Sequence, residues 1–290
     1  MIELSSLNDA ARQRYSCRTY QREAVGTHLR EQLAAYLGGL KNGPLGSTAR
    51  FMLVSASDED RSALKGLSTY GFIKNPTAFI FGAIQQARFD MEDFGYLMEL
   101  AILYATHIKL GTCWLGGTFN YSRFADKMAL QEGETMPAVT ASGLPNERRL
   151  SERMIREQAG SDHRKPWEEL FFDGRFDCPL DQSAAGPFAA TLDLVRIGPS
   201  ASNKQPWRIV HAAGNWHFYL QRTPNYPPRI PRLVDVKLAD LQRVDMGIAM
   251  CHFAVGAAAG SLPGVWRESN PDLELPENTE YVTTWMSEIN

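Results

Sequence analysis

The sequence predicts an α+β protein built from two tandem halves. Three observations carry this. Some segments place apolar residues at helical spacing, whereas others are short apolar or alternating runs bounded by turn residues. The order helix, Gly-Pro loop, Arg-led strand, long helix is used twice along the chain. A length of 290 residues suits about two units of ordinary size.

The elements follow in chain order. Leu29, Leu33, Leu37 and Leu40 predict a helix over Glu23–Leu40, ended by the glycine-rich stretch Gly38–Gly46. Phe51–Val54 and Ala78–Ile84 read as buried strands. Phe94, Leu97, Met98, Ala101, Ile102, Ala105 and Ile108 form a sustained helical stripe, so a long helix spans Met91–Lys109. Gly111–Gly117 reads as a loop after that helix, Pro137–Gly143 as a strand, and Pro145 as the opening of a charged loop and helix. Loop-like composition from Asp173 to Gly186 divides the chain into halves 1–178 and 179–290. Beyond lie a helix over Phe188–Val195, a turn over Gly198–Pro206, and strands over Trp207–Ala213 and Trp216–Gln221. A Pro-rich loop (Pro224–Pro231), a helix (Val244–Gly260) and an alternating tail (Glu280–Met286) that reads as an edge strand complete the chain.

The repeat is specific in its letters. Asp93-Phe94-Gly95 opens one long helix and Asp245-Met246-Gly247 the other. Gly43-Pro44 and Gly198-Pro199 close the preceding helices, and Arg50 and Arg208 lead the strands that follow.

Composition excludes several classes. Apolar residues at 44% and charged residues at 22% describe a globular chain. Thirty basic and 33 acidic residues give a net charge of −3, without the basic footprint of a nucleic-acid binder. No apolar run is long enough to span a bilayer, and the polar start lacks the apolar core of a signal peptide. Cys17, Cys113, Cys178 and Cys251 form no C-x-x-C pair. The six histidines form no H-x-x-x-H pair, so no metal is expected. The expectation is a soluble, reduced, cytoplasmic protein with no nucleic-acid or membrane partner.

Four segments carry chemistry. Arg14-Tyr15-Ser16-Cys17-Arg18 sets two guanidinium groups and a hydroxyl close together, which suits a phosphate and equally a solvated surface. Gly111–Gly117 offers backbone that a flat ligand can approach and the apolar face of Trp114, or simply a helix end and turn. Pro199-Ser200-Ala201-Ser202-Asn203-Lys204-Gln205 can hydrogen-bond the polar edge of a heterocycle, or form a plain turn. Arg164-Lys165-Pro166 brings two cations to the start of a short helix. No G-x-S-x-G elbow, P-loop or G-x-G-x-x-G fingerprint is present.

Together these segments resemble the FMN-dependent nitroreductase family, which carries a basic R-x-S-x-R start, P-S-A-x-N-x-Q-P-W, G-T-C-W-x-G-G and a late R-K-P. The order departs from ordinary members: Gly43-Pro44-Leu45-Gly46-Ser47 occupies the first P-S-A-x-N slot in degenerate form, and the intact motif lies in the second half. The closer resemblance is to a tandem subgroup with both halves in one chain. It implies a nitroreductase-like fold, an intramolecular pseudo-dimer that is a monomer, and one FMN per chain between the halves. It also implies that Arg14, Ser16 and Arg18 hold the phosphate and ribityl end, with Tyr15 offering backbone and Arg164 and Lys165 closing on the phosphate. Trp114, Leu115, Gly116 and Gly117 would lie along the isoalloxazine, and Pro199, Ser200, Ala201 and Asn203 would approach from the second half. The implied reaction is ping-pong: NAD(P)H gives a hydride to the flavin, which reduces a small acceptor such as a nitroaromatic or quinone. No catalytic side chain is identified. Enone reduction or dehalogenation on the same scaffold, or a non-catalytic flavin-binding sensor, remain as alternatives.

Overall fold

The computed structural model describes residues 2–57, 60–69, 71–146, 163–226 and 239–288. Helices α1 (Asn8–Gln13) and α2 (Thr27–Gly39) lead into β1 (Ala49–Ser55), β2 (Ala78–Gln85) and the long helix α3 (Asp90–His107). Then come β3 (Gly111–Leu115), α4 (Tyr121–Met128), β4 (Glu134–Thr135) and β5 (Val139–Gly143). The remainder comprises β6 (Phe171–Asp173), α5 (Ala189–Arg196), β7 (Trp207–Ala212), β8 (Asn215–Gln221), α6 (Leu241–Ala259), β9 (Gly264–Arg267) and β10 (Thr279–Ser287). The charged helix expected after Pro145 and most of the Pro-rich loop lie outside the described residues.

The strands form two sheets of the same design. The first runs β1-β2-β5-β3, with β4 on β2; the second runs β7-β8-β10-β9, with β6 added parallel to β7. Laying β7, β8, β10 and β9 on β1, β2, β5 and β3 reproduces the order, so the duplication read from the letters is also a duplication of topology. Both long helices end alike. Lys109 (φ 67) and Ser261 (φ 55) turn left-handed, and the next amides, Leu110 and Leu262, bond back to the carbonyls of Ala105 and Ala257.

The repeated Asp-x-Gly now has a physical reason. Helices α3 and α6 pack across one another, and each glycine lets the other backbone in. A Cβ at Gly95 would lie 2.1 Å from the Val244 carbonyl oxygen, and one at Gly247 would lie 1.9 Å from that of Glu92. This is the reciprocal contact of a two-fold interface, formed within one chain. The main core spans both halves, from Leu33 and Leu37 through Phe94 and Ile102 to Phe218 and Phe253. Burying one such side chain stabilises by about 1.5–3 kcal/mol.

Three sequence expectations need correction. Gly111–Leu115 is an edge strand rather than a loop, because its backbone pairs with β5 from Gly111↔Gly143 to Leu115↔Val139. The tail strand β10 is interior, since β9, which gave no alternating signal, covers its other edge. The first long helix begins at Thr27 rather than Glu23. In addition, β6 precedes residue 178 yet belongs to the second sheet.

Candidate functional site

The N-terminal motif and the Gly-Trp motif lie side by side. After α1 the chain extends, Ser16 bridges to Thr112 in parallel, and the Cys17 N–H donates to the Thr112 carbonyl at 2.8 Å. Gly111 is required by this approach: a Cβ there would sit 2.8 Å from Cys17 Sγ. At the other end of β3, a Cβ on Gly116 would meet Leu241, the first residue of α6, at 2.6 Å. The Trp114–Gly117 segment therefore abuts the second half directly.

A fully buried carboxylate, Glu99 on α3, ties the two halves together. It accepts a hydrogen bond from Trp114 Nε1 at 2.7 Å, faces His252 Nε2 at 3.0 Å, and lies 3.7 Å from Arg14 Nε. The other ring nitrogen of His252 faces the Leu194 carbonyl at 2.9 Å. A carbonyl only accepts, so Nδ1 is the donor of that contact. Burial pushes the Glu99 carboxyl up, but the hydrogen bond and charge of His252, with Arg14 and Trp114, hold it below the ordinary range. The His252 ring also sits 3.7 Å from the Cβ position of Gly198, where the Pro-Ser-Ala-Ser-Asn segment begins.

That segment is a tight, strained loop. Ser202, Asn203 and Gln205 have φ of 49°, 53° and 47°, in the left-handed region that non-glycine residues seldom occupy. Asp245 on α6 holds the loop through the Ala201 N–H at 2.9 Å, and Ser200 Oγ accepts from the Gln205 N–H at 2.9 Å. Arg164 donates to Asn203 Oδ1 and, at 2.9 Å, to the Ile197 carbonyl; the Lys165 N–H donates to Gln205 Oε1 at 2.8 Å. The late basic pair is thus attached to this loop. The second oxygen of Asp245 is buried without a hydrogen-bond partner among the described residues, and burial drives this carboxyl well above its ordinary range.

The structure thus links the four motifs in one continuous neighbourhood. Arg14 and Trp114 meet Glu99, Glu99 meets His252 beside Gly198, and Arg164 spans Ile197 and Asn203. Of the fourteen residues singled out by the resemblance, Leu115 is buried and the others keep some solvent exposure. Arg18 is at the far end, where its carbonyl accepts from the Lys74 N–H at 2.8 Å.

Comparison with known proteins gives the family. A family model described as "Putative TM nitroreductase" matches residues 6–257. The chain belongs to this nitroreductase family. A Thermotoga maritima protein carrying the same nitroreductase description matches in structure at 16% identity and a TM-score of 0.59, over 97% of this chain and 93% of its own. A nitroreductase with bound FMN from Desulfitobacterium hafniense matches at 18% identity and a TM-score of 0.39, over 51% of this chain and 93% of its own. Another with bound FMN, from Bacteroides fragilis, matches at 14% and 0.37, over 50% and 90%. No protein among the curated ones matches. The α+β architecture with two like halves is the nitroreductase-like fold that the motifs implied.

This nitroreductase-family chain also has a cleft of about 830 Å³ beside Asn203. Arg164, Lys165, Lys204, Arg208 and Arg222 are among its lining residues. Sequence reasoning missed Glu99, His252, Asp245 and Arg208. Two of them had a visible signal: Glu99 and His252 are ionisable residues inside otherwise apolar helical stretches, and a buried charge needs a partner. Among the described residues no helix is long and apolar enough to cross a membrane.

Proposed function

We propose that this chain is an FMN-dependent oxidoreductase that takes a hydride from NAD(P)H and passes it, by a ping-pong mechanism, to a small organic acceptor such as a nitroaromatic or a quinone. Membership of the nitroreductase family supports the reading. The observation that carries it is the loop Gly198–Gln205, whose left-handed Ser202, Asn203 and Gln205 store strain of about 1–3 kcal/mol each. Such strain persists where surrounding contacts enforce it for function. Here Asp245, Arg164 and Lys165 enforce it.

The donor set fits the cofactor. Arg14, Arg18, Arg164 and Lys165 supply cations and Ser16 a hydroxyl, which suit a phosphate and a polyol. Trp114 offers an apolar ring face and the glycines after it open backbone, and the Pro199–Asn203 loop offers polar groups. In this reading Arg14, Tyr15, Ser16 and Arg18 hold the phosphate and ribityl end. Trp114, Leu115, Gly116 and Gly117 lie along the ring, and Pro199, Ser200, Ala201 and Asn203 approach it from the second half. Bound FMN would supply hydride acceptance and transfer. The protein's part is to position it and exclude water. Glu99 fixes the Trp114 indole and lies against the Arg14 guanidinium, so both keep one orientation.

Gly43–Ser47 uses a glycine, Gly46 (φ 100), where the second loop uses strained side chains. The proposal is one FMN per chain, in a pseudo-dimeric monomer of the cytoplasm. The test is the absorbance spectrum of the purified protein before and after anaerobic NADH or NADPH. The reading expects an oxidised flavin spectrum that either donor bleaches and a quinone restores. A flavin that both donors leave oxidised would contradict it.

A further inference from the structure

His252, on α6, is fully buried and has no part in the proposed chemistry. Its ring nevertheless joins two segments that carry proposed flavin residues. Nδ1 donates to the Leu194 carbonyl at 2.9 Å, on the helix that leads into the Pro199–Asn203 loop. The ring also lies 3.7 Å from the Cβ position of Gly198, so a side chain there would crowd it. On its other edge, Nε2 faces Glu99 Oε1 at 3.0 Å. Two acceptors repel, so this contact forms only with one proton between the two atoms. Glu99, also fully buried, takes the Trp114 indole N–H at 2.7 Å and lies 3.7 Å from Arg14 Nε.

The duplication shows that packing alone does not call for this pair. The two residues reached six and seven positions after Asp93 are Glu99 and Leu100; the same count from Asp245 reaches Cys251 and His252. The two-fold relation that sets Glu99 against His252 therefore makes Leu100 and Cys251 the reciprocal positions, and both lie in the main core. Replacing a buried ionic pair by packed apolar side chains is often neutral or stabilising, and the crossing accepts uncharged side chains at its reciprocal positions. The polar pair is kept where Arg14, Trp114 and the Gly198 turn converge.

We infer that His252 and Glu99 form one positioning unit across the seam. The ring carries the placement of the Leu194–Gly198 turn to Glu99, and Glu99 sets the Trp114 indole and the Arg14 guanidinium. An imidazole suits this task because it is rigid and has a nitrogen on each of two edges. Neither residue is given a contact with the cofactor: both act through Trp114, Arg14 and the loop. The coupling rests on the contacts alone, and its effect on FMN rests on the proposed function.

Two measurements on the full-length chain test this. The first is FMN affinity, followed by quenching of flavin fluorescence, in wild type, His252→Gln, Trp114→Phe and the double variant. His252→Gln should weaken FMN binding about tenfold to a hundredfold, the range for one charge-assisted bond. Trp114→Phe keeps an aromatic face and loses the N–H, and should weaken it less. Because both act through Glu99, the double variant should be about as weak as His252→Gln alone, whereas independent structural damage would multiply. The second measurement needs neither flavin nor the His252 variant. In protein carrying isotope-labelled histidine, the NMR resonances of the His252 ring should shift in Trp114→Phe, because the indole N–H and the imidazole share Glu99. If His252→Gln does not fold, this resonance decides. An FMN affinity that His252→Gln leaves unchanged, effects that multiply, or a His252 resonance that ignores Trp114→Phe would each overturn the inference. A resonance that shifts in a protein that takes up no FMN would keep the coupling and sink the proposed function.

Discussion

The two halves share a scaffold and differ in how their polar groups are closed. Trp114 and Trp266 follow the long helices at equivalent positions, on β3 and β9. Trp114 donates to Glu99. Cys251 stands at the place of Glu99, and Trp266 Nε1 is buried with no partner among the described residues. Asp93 accepts from the N–H groups of Leu45 and Ser47, both at 2.8 Å, whereas Asp245 accepts one N–H and has an oxygen unpaired among the described residues. Arg50 is ion-paired, and Arg208 has no ion pair among the described residues. What stayed symmetric is the glycine crossing that packs the halves together. What diverged are the polar partners around the seam, where a duplicated fold can keep one site and let the other decay.

Glu99→Gln should break this asymmetry most severely. It takes the buried carboxylate from the Arg14 guanidinium, the His252 ring and the Trp114 indole, at a cost of about 3–5 kcal/mol, measured by denaturant unfolding near neutral pH. The pH dependence gives the sign. The folded-state pKa of Glu99 is depressed, so its stabilisation is present above the ordinary carboxylate range and is lost as pH falls through the depressed value. The difference between wild type and Glu99→Gln should shrink on acidification; a constant difference would refute the ionic account.

Gly95→Ala and Gly247→Ala should come next, and equally. Each puts a Cβ into the partner helix's backbone, costing about 1–3 kcal/mol or somewhat more. A thermal-unfolding series in which one variant is harmless would contradict the reciprocal crossing.

Asp93→Asn and Asp245→Asn should then part company. Asp93→Asn trades one acceptor for a donor and strands a loop N–H, costing about 1–3 kcal/mol. Asp245 has a raised folded-state pKa, so its burial penalty sets in as pH rises from the ordinary carboxylate range through the raised value. Asp245→Asn removes that penalty while an amide oxygen still accepts from Ala201. The variant should match or exceed wild-type stability at pH 8 and lose the advantage towards pH 4, followed by urea midpoints. The smallest expected effect on stability is that of Arg18→Ala. It should leave the fold nearly intact yet weaken FMN retention by about 1.5–3 kcal/mol, read by fluorescence of released flavin.

Much of this was legible in the letters. The stripe from Phe94 to Ile108 gave α3, and Asp93-x-Gly95 against Asp245-x-Gly247 gave the duplication before its purpose as a helix crossing was visible. The four motif segments named the neighbourhood. What the letters did not carry was long-range pairing. Gly111–Leu115 contains too few alternating residues to read as a strand, and only its ladder to β5 makes it one. β10 became interior because Gly264–Arg267, short and half-exposed, lies against it. Glu99 and His252 are 153 residues apart, a separation across which sequence spacing carries no contact.

Flavin stoichiometry tests the account most directly. Denaturing release and quantification of FMN from protein of known concentration should give one per chain, because the strained loop that ends at Gln205 exists once and Gly43–Ser47 lacks it. Two flavins per chain would show that both halves kept a working site, and a protein that neither carries nor takes up FMN would remove the site altogether.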